Sequence, residues 1–265
     1  MARGRPHPFL RGLVDSYAGY AEQRTTGAPN LEVPHPSLTL IVNLGEPIRV
    51  SAPGAPSSTA NHDSFLAGLH DAFVVVGATG PMRCVEARLT PAGARVLLGR
   101  PLGDLANRTV DLGDLLGRDA DELAERMDAA PGWAARFVLL EEVLLGRTEA
   151  WTNRDGVLWA WRQLRISDGR ARVADLAVEV GWSRKHLTAR FRTELGLPPK
   201  AVARVLRFDA AVRAIDGSRR PSWADIAHRC GYADQAHLNR DFRAFAGTTP
   251  GDFLRRRIPE GGVQA

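Results

Sequence analysis

The amino-acid sequence predicts a chain in two parts, a sheet-rich α+β part followed by an all-α part. Short apolar runs rich in β-branched residues, bounded by Pro or Gly, occur within the first hundred residues, whereas apolar residues recur at helical spacing after Val157. The charge divides in a similar way. Residues 1–150 hold 14 Arg or Lys against 18 Asp or Glu, and residues 151–265 hold 21 against 12. The excess positive charge therefore belongs to the predicted all-α part.

Length and composition place the chain among ordinary globular proteins. A chain of 265 residues with 44% apolar and 25% charged residues can bury a hydrophobic core without disulfides. The sequence contains no apolar run of membrane-spanning length and no signal-peptide pattern at its start, so we expect a cytoplasmic protein that does not contact the membrane. The two cysteines, Cys84 and Cys230, are far apart in sequence and support neither a disulfide framework nor a zinc site.

Three apolar runs predict strands in the N-terminal part, at residues 38–44, 73–76 and 82–89. The run 82–89 alternates, with Cys84 and Glu86 on one side and Val85 and Ala87 on the other. Residues 48–64 are rich in Ser, Pro, Ala and Gly, which indicates either a loop or a hairpin.

Three predicted helices follow these strands. Pro91 begins the first, which ends at Gly99, and apolar residues at three- and four-residue spacing predict the other two at 119–130 and 133–146. The polar, unperiodic segment 147–156 is interpreted as a linker between domains. The predicted division is therefore an N-terminal domain at 1–146 and a C-terminal domain at 157–257.

The C-terminal part contains one helical pattern twice. The sequence ADLAVEVGWSRKHLTARF at 174–191 recurs as ADIAHRCGYADQAHLNRDF at 224–242, and each copy is followed by a glycine and a proline. The copies differ in length by one residue, which falls in the turn, where an insertion costs least. We predict two helix pairs at 173–195 and 223–246, joined by a long helix at 200–215, with further helices at 157–166 and about 249–256.

Each part of the repeated pattern has a mechanical reason. Gly181 and Gly231 suit the left-handed residue that ends a helix, and Ser183 and Asp234 are natural N-caps for the helix that follows. The buried stripe of each second helix is predicted at Leu187 and Phe191 and at Leu238 and Phe242. Two helices joined by a short turn with glycine form a helix-turn-helix unit, whose second helix enters the DNA major groove. Two such units within a basic block predict binding to double-stranded DNA.

Residues 157–257, nearly 40% of the chain, resemble the C-terminal DNA-binding domain of AraC/XylS-type bacterial transcription regulators. The second copy carries the resemblance most strongly, with Gly231 and a tyrosine, then the pattern L-x-R-x-F from Leu238, then Gly247 and Pro250. The first copy departs from the family at Ala189-Arg190, where the arginine stands one place later than in many members. The resemblance implies a regulator of transcription, either an activator or a repressor.

Outward-facing positions of the two second helices are candidate DNA contacts. Gln and Asn pair with adenine and Arg with guanine in the major groove, whereas other arginines bind phosphate. The base-contact candidates are Lys185, Thr188, Ala189, Gln235, Ala236, Asn239 and Arg240. The phosphate candidates are Arg184, Arg192, Arg243, Arg255, Arg256 and Arg257. The matched positions of His186 and His237 indicate a shared packing or capping role and not a catalytic or metal-binding role.

The resemblance implies that the N-terminal domain binds a small-molecule effector, forms a homodimer, or does both, and that RNA polymerase is a further partner. A sheet-rich, cupin-like sensor domain is expected, although no effector or effector-binding residue can be named from the sequence. His35, His62 and His70 lack metal-ligand spacing and are interpreted as surface or loop residues. No metal and no cofactor are predicted.

Two alternatives remain beside a ligand-controlled regulator. In one, the chain binds DNA constitutively and its N-terminal domain only dimerises. In the other, the chain is an enzyme with a DNA-binding appendage, such as an alkyl-transferring repair protein. The two isolated cysteines exclude the four-cysteine zinc site of that class, and the sequence has no P-loop, nucleophile elbow or HExxH motif. We therefore expect a protein that is not an enzyme.

Overall fold

The computed structural model describes residues 1–22, 30–52, 59–78, 80–148, 155–216 and 222–256, together with the backbone of 263–264. Within these ranges the fold follows the predicted order, with strands in the N-terminal half and helices in the C-terminal half. None of the helices in this part of the chain is both long enough and apolar enough to span a membrane.

Two antiparallel β-sheets form the N-terminal half. The larger sheet has the strand order β1-β2-β9-β4-β7-β10, and the smaller has the order β11-β3-β8-β5-β6. The strands are β1 (Ala2–Gly4), β2 (Val14–Glu22), β3 (Asn30–Glu32), β4 (Leu38–Asn43), β5 (Ile48–Ser51), β6 (Ala60–His62), β7 (Phe65–Ala67), β8 (Val74–Ala78), β9 (Met82–Leu89), β10 (Thr109–Asp111) and β11 (Val263–Gln264). The three strands predicted from apolar runs correspond to β4, β8 and β9, and the ambiguous segment 48–64 contains the β5–β6 pair.

The larger sheet has a different environment on each face. Strand β9 alternates as its sequence predicts, so Val85, Ala87 and Leu89 are buried in the core that the N-terminal helices cover. On the other face, Cys84 packs between the two sheets with residues from β4, β5 and β7. The space between the sheets is therefore separate from the helix-covered core.

Four helices cover the outer face of the larger sheet. They are α1 (Pro91–Leu98), α2 (Leu112–Leu116), α3 (Arg118–Ala129) and α4 (Trp133–Thr148). Helix α1 begins at Pro91 and ends before Gly99, as predicted. The Thr90 hydroxyl caps its start by accepting from the Gly93 N–H, and Gly99 is left-handed at φ 65°. Helix α4 includes Arg147 and Thr148, which the sequence placed in the linker. Residues 149–154 of that predicted linker lie outside the described residues.

Seven helices form the described part of the C-terminal half. They are α5 (Gly156–Ile166), α6 (Val173–Glu179), α7 (Arg184–Leu195), α8 (Pro199–Asp216), α9 (Trp223–Arg229), α10 (Gln235–Ala246) and α11 (Pro250–Arg256). The predicted helix pairs are α6–α7 and α9–α10, and α8 is the predicted long helix between them. The predicted all-α architecture with two helix-turn-helix units is therefore confirmed.

One hydrophobic core extends across the boundary between the strand-rich N-terminal half and the helical C-terminal half. One cluster contains N-terminal residues such as Leu140 and Leu144 and continues through α5 into Leu187 and Phe191 of the first unit. A second cluster is built from α8, α9, α10 and α11 and contains Phe208, Phe242 and Phe253 among others. The first helix-turn-helix unit thus shares a core with the N-terminal half, whereas the second has a core with α8.

Candidate functional site

The two helix-turn-helix units have the same turn geometry. Gly181 and Gly231 follow the end of their helices at φ 71° and 78°, a conformation that residues with a Cβ adopt only at a cost. The next residue closes the turn in both copies. The Trp182 N–H donates to the Ala177 carbonyl at 2.8 Å, and the Tyr232 N–H donates to the Ala227 carbonyl at 2.9 Å. The repeated sequence therefore encodes a repeated backbone structure.

The caps of the second helices confirm where the extra residue lies. The Ser183 hydroxyl accepts from the His186 N–H at 3.1 Å, and the Asp234 carboxylate accepts from the His237 N–H at 2.6 Å. Ala233 is the additional residue between turn and cap in the second unit. Its N–H donates to His237 Nδ1 at 3.5 Å, so the insertion leaves no unpaired donor at this point.

His186 and His237 pack against the aromatic residue of their own turn. The His186 ring stands edge-on to Trp182 with 4.9 Å between centroids, and the His237 ring stands edge-on to Tyr232 at 5.1 Å. Both contacts join the turn to the first part of the following helix. The shared packing role predicted for these histidines is present in both copies.

Most candidate DNA contacts lie on the outer faces of α7 and α10, and Arg255 and Arg256 lie at the end of α11. Thr188 and Asn239 are half-buried, and the Thr188 hydroxyl donates to the Arg184 carbonyl at 2.8 Å. The other described candidates are exposed: Arg184, Lys185, Ala189, Arg192, Gln235, Ala236, Arg240, Arg243, Arg255 and Arg256. Arg257 lies outside the described residues. The described side chains predicted to contact DNA are thus accessible, on two matched helices and at the end of α11.

The two outer faces carry different chemistry at equivalent positions. Ala189 in α7 corresponds to Arg240 in α10, so the first unit has no long polar side chain where the second has a guanidinium. The late arginine of the first copy, Arg190, corresponds to the buried Asp241, and it pairs with the buried Glu194 at 3.0 Å. The departure from the family pattern therefore places an arginine in an intramolecular ion pair.

A buried carboxylate anchors each second helix to a different neighbour. Asp241 of α10 accepts hydrogen bonds from Arg204 of α8, at 2.7 Å from Nη2 and 3.3 Å from Nε. Glu194 of α7 lies 3.5 Å from Arg95 of α1, in the N-terminal half. The first unit is therefore attached electrostatically to the N-terminal half and the second to the connecting helix.

A cavity of about 200 Å³ lies between the two β-sheets. Its apolar end is lined by Ile48 and Val50 of the smaller sheet and by Phe65, Met82 and Cys84 of the larger one. The other end is lined by polar residues from both sheets. Thr39 of β4 pairs with Arg88 of β9 in the larger sheet, and Glu32 lies on β3 of the smaller sheet, paired with Val74. The cavity is therefore amphiphilic along its length.

The polar end of the cavity contains several ionisable groups. Arg88 Nε donates to Glu86 Oε1 at 2.7 Å. Glu32 faces this pair from β3, and burial, opposed by Arg88 and reinforced by Glu86, raises the pKa of Glu32 to about 7. Burial lowers the pKa of both His35 and His70, with the charge of Arg88 adding to the effect at His35, so both rings are neutral at pH 7.

The structure corrects part of the interpretation of the three N-terminal histidines as surface or loop residues. His35 and His70 do lie in loops, but they are not surface residues, and His62 lies in strand β6. His35 and His70 line the cavity, and His62 is 8% exposed with Nδ1 at 2.6 Å from Asp111 Oδ1. The reason is long-range strand pairing, which turns loop ends towards the space between the sheets. Across the described residues, the His, Cys, Asp and Glu side chains form no group of three or more that could hold a metal ion.

Sequence reasoning missed the cavity residues, although one signal was present. Charged residues inside an otherwise buried strand need a partner, and Glu86 and Arg88 occur at alternate positions of β9. That pattern indicates a polar space on one face of the strand. It does not indicate Glu32 or His70, which reach the same space from elements distant in sequence.

Strand β3 separates the cavity from the second helix-turn-helix unit. Asn30 and Glu32 line the cavity, whereas Leu31 packs against the core that contains Phe208 and Phe242. Val33, directly after the strand, contacts both. Phe73, in the connection before β8, lies close to Gly247 at the end of α10. The backbone of β11 pairs with β3 on its other edge. One short strand thus touches both a cavity and a DNA-binding unit.

Comparison with known families assigns both halves separately. Residues 176–256 match a family model described as a helix-turn-helix domain, and residues 2–111 match a domain of unknown function (DUF6597). The comparison with curated protein sequences found no match. The region of the first match contains both second helices, α7 and α10.

Solved structures of ToxT from Vibrio cholerae are similar over almost the whole chain. One ToxT structure at 1.65 Å resolution aligns with a TM-score of 0.54 at 11% identity, covering 91% of this chain and 98% of that one. ToxT from Vibrio cholerae O395 aligns with a TM-score of 0.53 at 10% identity, covering 90% and 97%. A third, bound to (E)-4-(8-methylnaphthalen-1-yl)but-3-enoic acid, aligns with a TM-score of 0.51 at 12% identity, covering 91% and 99%. At these identities the likeness concerns the fold, a cupin-like domain followed by helix-turn-helix units.

Four observations indicate the same type of C-terminal domain: the sequence repeat, its repeated backbone geometry, the family match and the structural similarity. A helix-turn-helix domain is a DNA-binding module whose second helix enters the major groove. The chain therefore carries at its C-terminal end a double helix-turn-helix domain of the AraC/XylS type, joined to an N-terminal domain with the sheet-rich fold of the ToxT structures.

Proposed function

We propose that this chain is a transcription regulator whose binding to double-stranded DNA is controlled by a small molecule held between the two N-terminal sheets. The observation that carries the proposal is the position of strand β3. Its residues Asn30 and Glu32 line the cavity, and Leu31 packs on the core of the second helix-turn-helix unit. A ligand that moves β3 acts directly on that unit.

DNA binding is assigned to the outer faces of α7 and α10, with further phosphate contacts from residues 255–257. Two helix-turn-helix units on one chain can occupy successive major-groove segments about 34 Å apart on one face of the duplex. We assign base contacts to Lys185, Thr188, Ala189, Gln235, Ala236, Asn239 and Arg240. We assign phosphate contacts to Arg184, Arg192, Arg243, Arg255, Arg256 and Arg257. The exposure of ten of these side chains and the basic charge of this half support the assignment.

Control by an effector is supported by the cavity and by a structural relative. The cavity has an apolar end, a polar end and walls from both sheets, which suits a small amphiphile. One ToxT structure of similar fold has a carboxylic acid bound. The wall of the cavity contacts the DNA-binding domain directly through β3, whose Leu31 packs on the core of the second unit.

Dimerisation and contact with RNA polymerase are also part of this proposal. Residues 1–146 are assigned the effector site and the contact between two chains, and residues 157–257 are assigned DNA binding. The connection between them lies between the end of α4 at Thr148 and the start of α5 at Gly156. Sedimentation of the full chain, with and without a ligand, measures the fraction of chains that form a dimer. A dimer whose DNA affinity responds to no bound ligand would favour the constitutive alternative.

The decisive experiment measures DNA affinity of the full chain as the cavity is filled. Genomic fragments captured by the chain and then sequenced identify its binding site. Affinity for that site is next measured by fluorescence anisotropy, with and without a ligand that raises the melting temperature. A change of at least about fivefold is expected, the lower end of typical coupling between two sites. Unchanged affinity with a saturated cavity contradicts effector control, and equal affinity for the site and random DNA contradicts sequence-specific regulation.

A further inference from the structure

The polar atoms that face the cavity without a partner are hydrogen-bond acceptors. Asn30 Oδ1 and His70 Nε2 are buried and have no hydrogen-bond partner in the described part of the chain. A ring nitrogen of His70 bonds to the backbone of Arg108, and since Nε2 is unpartnered, that bond is made by Nδ1. A neutral imidazole that donates through Nδ1 presents a lone pair at Nε2. Both atoms therefore require a donor.

The only cavity cation among the described residues is already neutralised. Arg88 is paired with Glu86 through a 2.7 Å contact between Nε and Oε1. His35 cannot supply a second positive charge, because its Nδ1 accepts from the Ser37 N–H at 3.2 Å and its Nε2 contacts the Thr39 hydroxyl at 3.0 Å. These contacts fix a neutral tautomer. A ligand carboxylate would therefore find no free cation at the polar end.

Glu32 also lines the cavity, and its carboxylate is not part of the ion pair between Arg88 and Glu86. Within the described part of the chain the Glu32 carboxylate makes no hydrogen bond and no ion pair, although the charge of Arg88 opposes the rise of its pKa. The titratable groups that line the same cavity are Tyr20, His35, His70, Cys84, Glu86 and Arg88. Of these, Glu86 and Arg88 cancel, and the two histidines are neutral at pH 7. Ionised Glu32 thus gives the polar end a net negative charge.

From the free acceptors and this charge balance we propose that the cavity selects a small amphiphile whose polar end is a protonated amine. The ammonium group pairs with the Glu32 carboxylate and donates to His70 Nε2 and Asn30 Oδ1. The apolar body lies between Ile48 and Val50 of one sheet and Phe65 and Met82 of the other. This inference rests on the proposed effector role and specifies its ligand class.

A cationic ligand makes binding depend on pH in a defined direction. The pKa of Glu32 is about 7 in the empty cavity, so its carboxylate is mostly protonated at pH 6 and mostly ionised at pH 8. The ligand binds the ionised form and therefore releases a proton when it binds below pH 7. Its affinity is expected to rise about tenfold from pH 6 to pH 8, which follows from the ionised fraction of one group.

The test compares three probes of one length, hexylamine, hexanol and hexanoate, by calorimetric titration of the full chain. Hexylamine is expected to bind most tightly at pH 8 and to weaken about tenfold at pH 6. Hexanol is expected to bind with little pH dependence, and hexanoate to bind most weakly. Tighter binding of hexanoate than of hexylamine at pH 8 overturns the proposal, as does the absence of binding by all three.

Two variants identify the residue responsible. Glu32→Gln keeps the shape of the side chain and is expected to abolish the pH dependence of hexylamine binding while hexanol binding persists. Persisting hexanol binding also shows that this variant is folded. Glu46→Gln is the matched control, since Glu46 is exposed in the β4–β5 connection outside the cavity. Unchanged hexylamine affinity and pH dependence in Glu32→Gln overturns the assignment.

The same titrations separate this inference from the proposed function. If hexylamine binds as described and DNA affinity does not change, the ligand class stands and effector control fails. If hexanoate binds more tightly and changes DNA affinity, effector control stands and the ligand class fails.

Discussion

The two helix-turn-helix units share a sequence pattern and a turn geometry but differ in what holds them. The first unit belongs to the core that runs through the N-terminal half, and its Glu194 faces Arg95 of α1. The second has a core with α8, and its Asp241 is held by Arg204 of that helix. Contact between the second unit and the N-terminal half is made through Leu31, Val33 and Phe73. The repeated sequence thus encodes the same local structure in both units, but the two units pack against different parts of the molecule.

This difference suggests a division of work between the units. The outer face of α10 offers Gln235, Asn239 and Arg240, whereas the equivalent positions of α7 are Arg184, Thr188 and Ala189. Amide and guanidinium groups can make bidentate bonds to bases, which an alanine cannot. We therefore expect the second unit to read more of the sequence and the first to position the chain on DNA. The unit that reads more is also the one in contact with β3.

The largest expected effect tests whether the two cores are separate. Phe242 is fully buried and packs against the Phe208 and Phe253 rings, so Phe242→Ala should cost about 3–5 kcal/mol of unfolding free energy. Hydrogen exchange should show that the loss of amide protection is confined to α8–α11. The counterpart Phe191→Ala should cost a similar amount but also reduce protection in the N-terminal half, through the shared core. Identical exchange patterns in the two variants would contradict the comparison.

The ion-pair anchors should differ in strength. Arg204→Met leaves the buried Asp241 without its partner, and a loss towards the lower end of about 3–5 kcal/mol is expected because Arg204 itself is partly exposed. Arg95→Met should cost less, since Arg190 still neutralises Glu194. The other carboxylate paired with Arg95 is Asp155, which is more exposed than Asp241 and keeps its bond from the Val157 N–H. Chemical denaturation measures both losses. The control Arg126→Met breaks an exposed pair with Glu142 and should cost at most about 1 kcal/mol. A larger loss for Arg95→Met than for Arg204→Met would reverse the proposed order.

The third prediction concerns base reading by the second unit. Arg240→Ala should cost about 1–3 kcal/mol on the chain's own site and relax its preference at one base pair. Arg243→Ala should weaken binding to all sequences to a similar extent and reduce the salt dependence by about one counterion. Anisotropy titrations on the site and on random DNA, over a range of salt, distinguish the two. Equal losses for Arg240→Ala on both DNAs would refute its role in reading bases.

The smallest expected effect tests the contact between β3 and the second unit. Leu31 is half-buried, so Leu31→Ala should cost less than the roughly 2–5 kcal/mol typical of a fully buried leucine. Its larger consequence should be functional, because a ligand in the cavity would no longer act on α10 through this strand. Calorimetry should show ligand binding retained, and anisotropy should show a reduced effect of the ligand on DNA affinity. An undiminished ligand effect would exclude β3 as the connection.

The helical half was predictable from the sequence because its determinants are local. Gly181, Ser183 and their repeats act through hydrogen bonds within a few residues, and the apolar stripes depend only on helical spacing. These features fixed the turns, the caps and the outward faces of α7 and α10, and the structure contains each of them. The DNA contacts assigned to those faces remain predictions.

Only the tertiary structure decided the cavity and its connection to the DNA-binding domain. Glu32, His70 and Arg88 meet because β3, β9 and the connection between β7 and β8 are brought together by pairing between strands distant in sequence. Each residue alone resembles an ordinary polar residue of a strand or loop, and a shift of one residue in strand register would turn it to the opposite face. The sequence by itself determined two DNA-binding units through short-range contacts. Long-range pairing determined what lies between the sheets and which unit it touches.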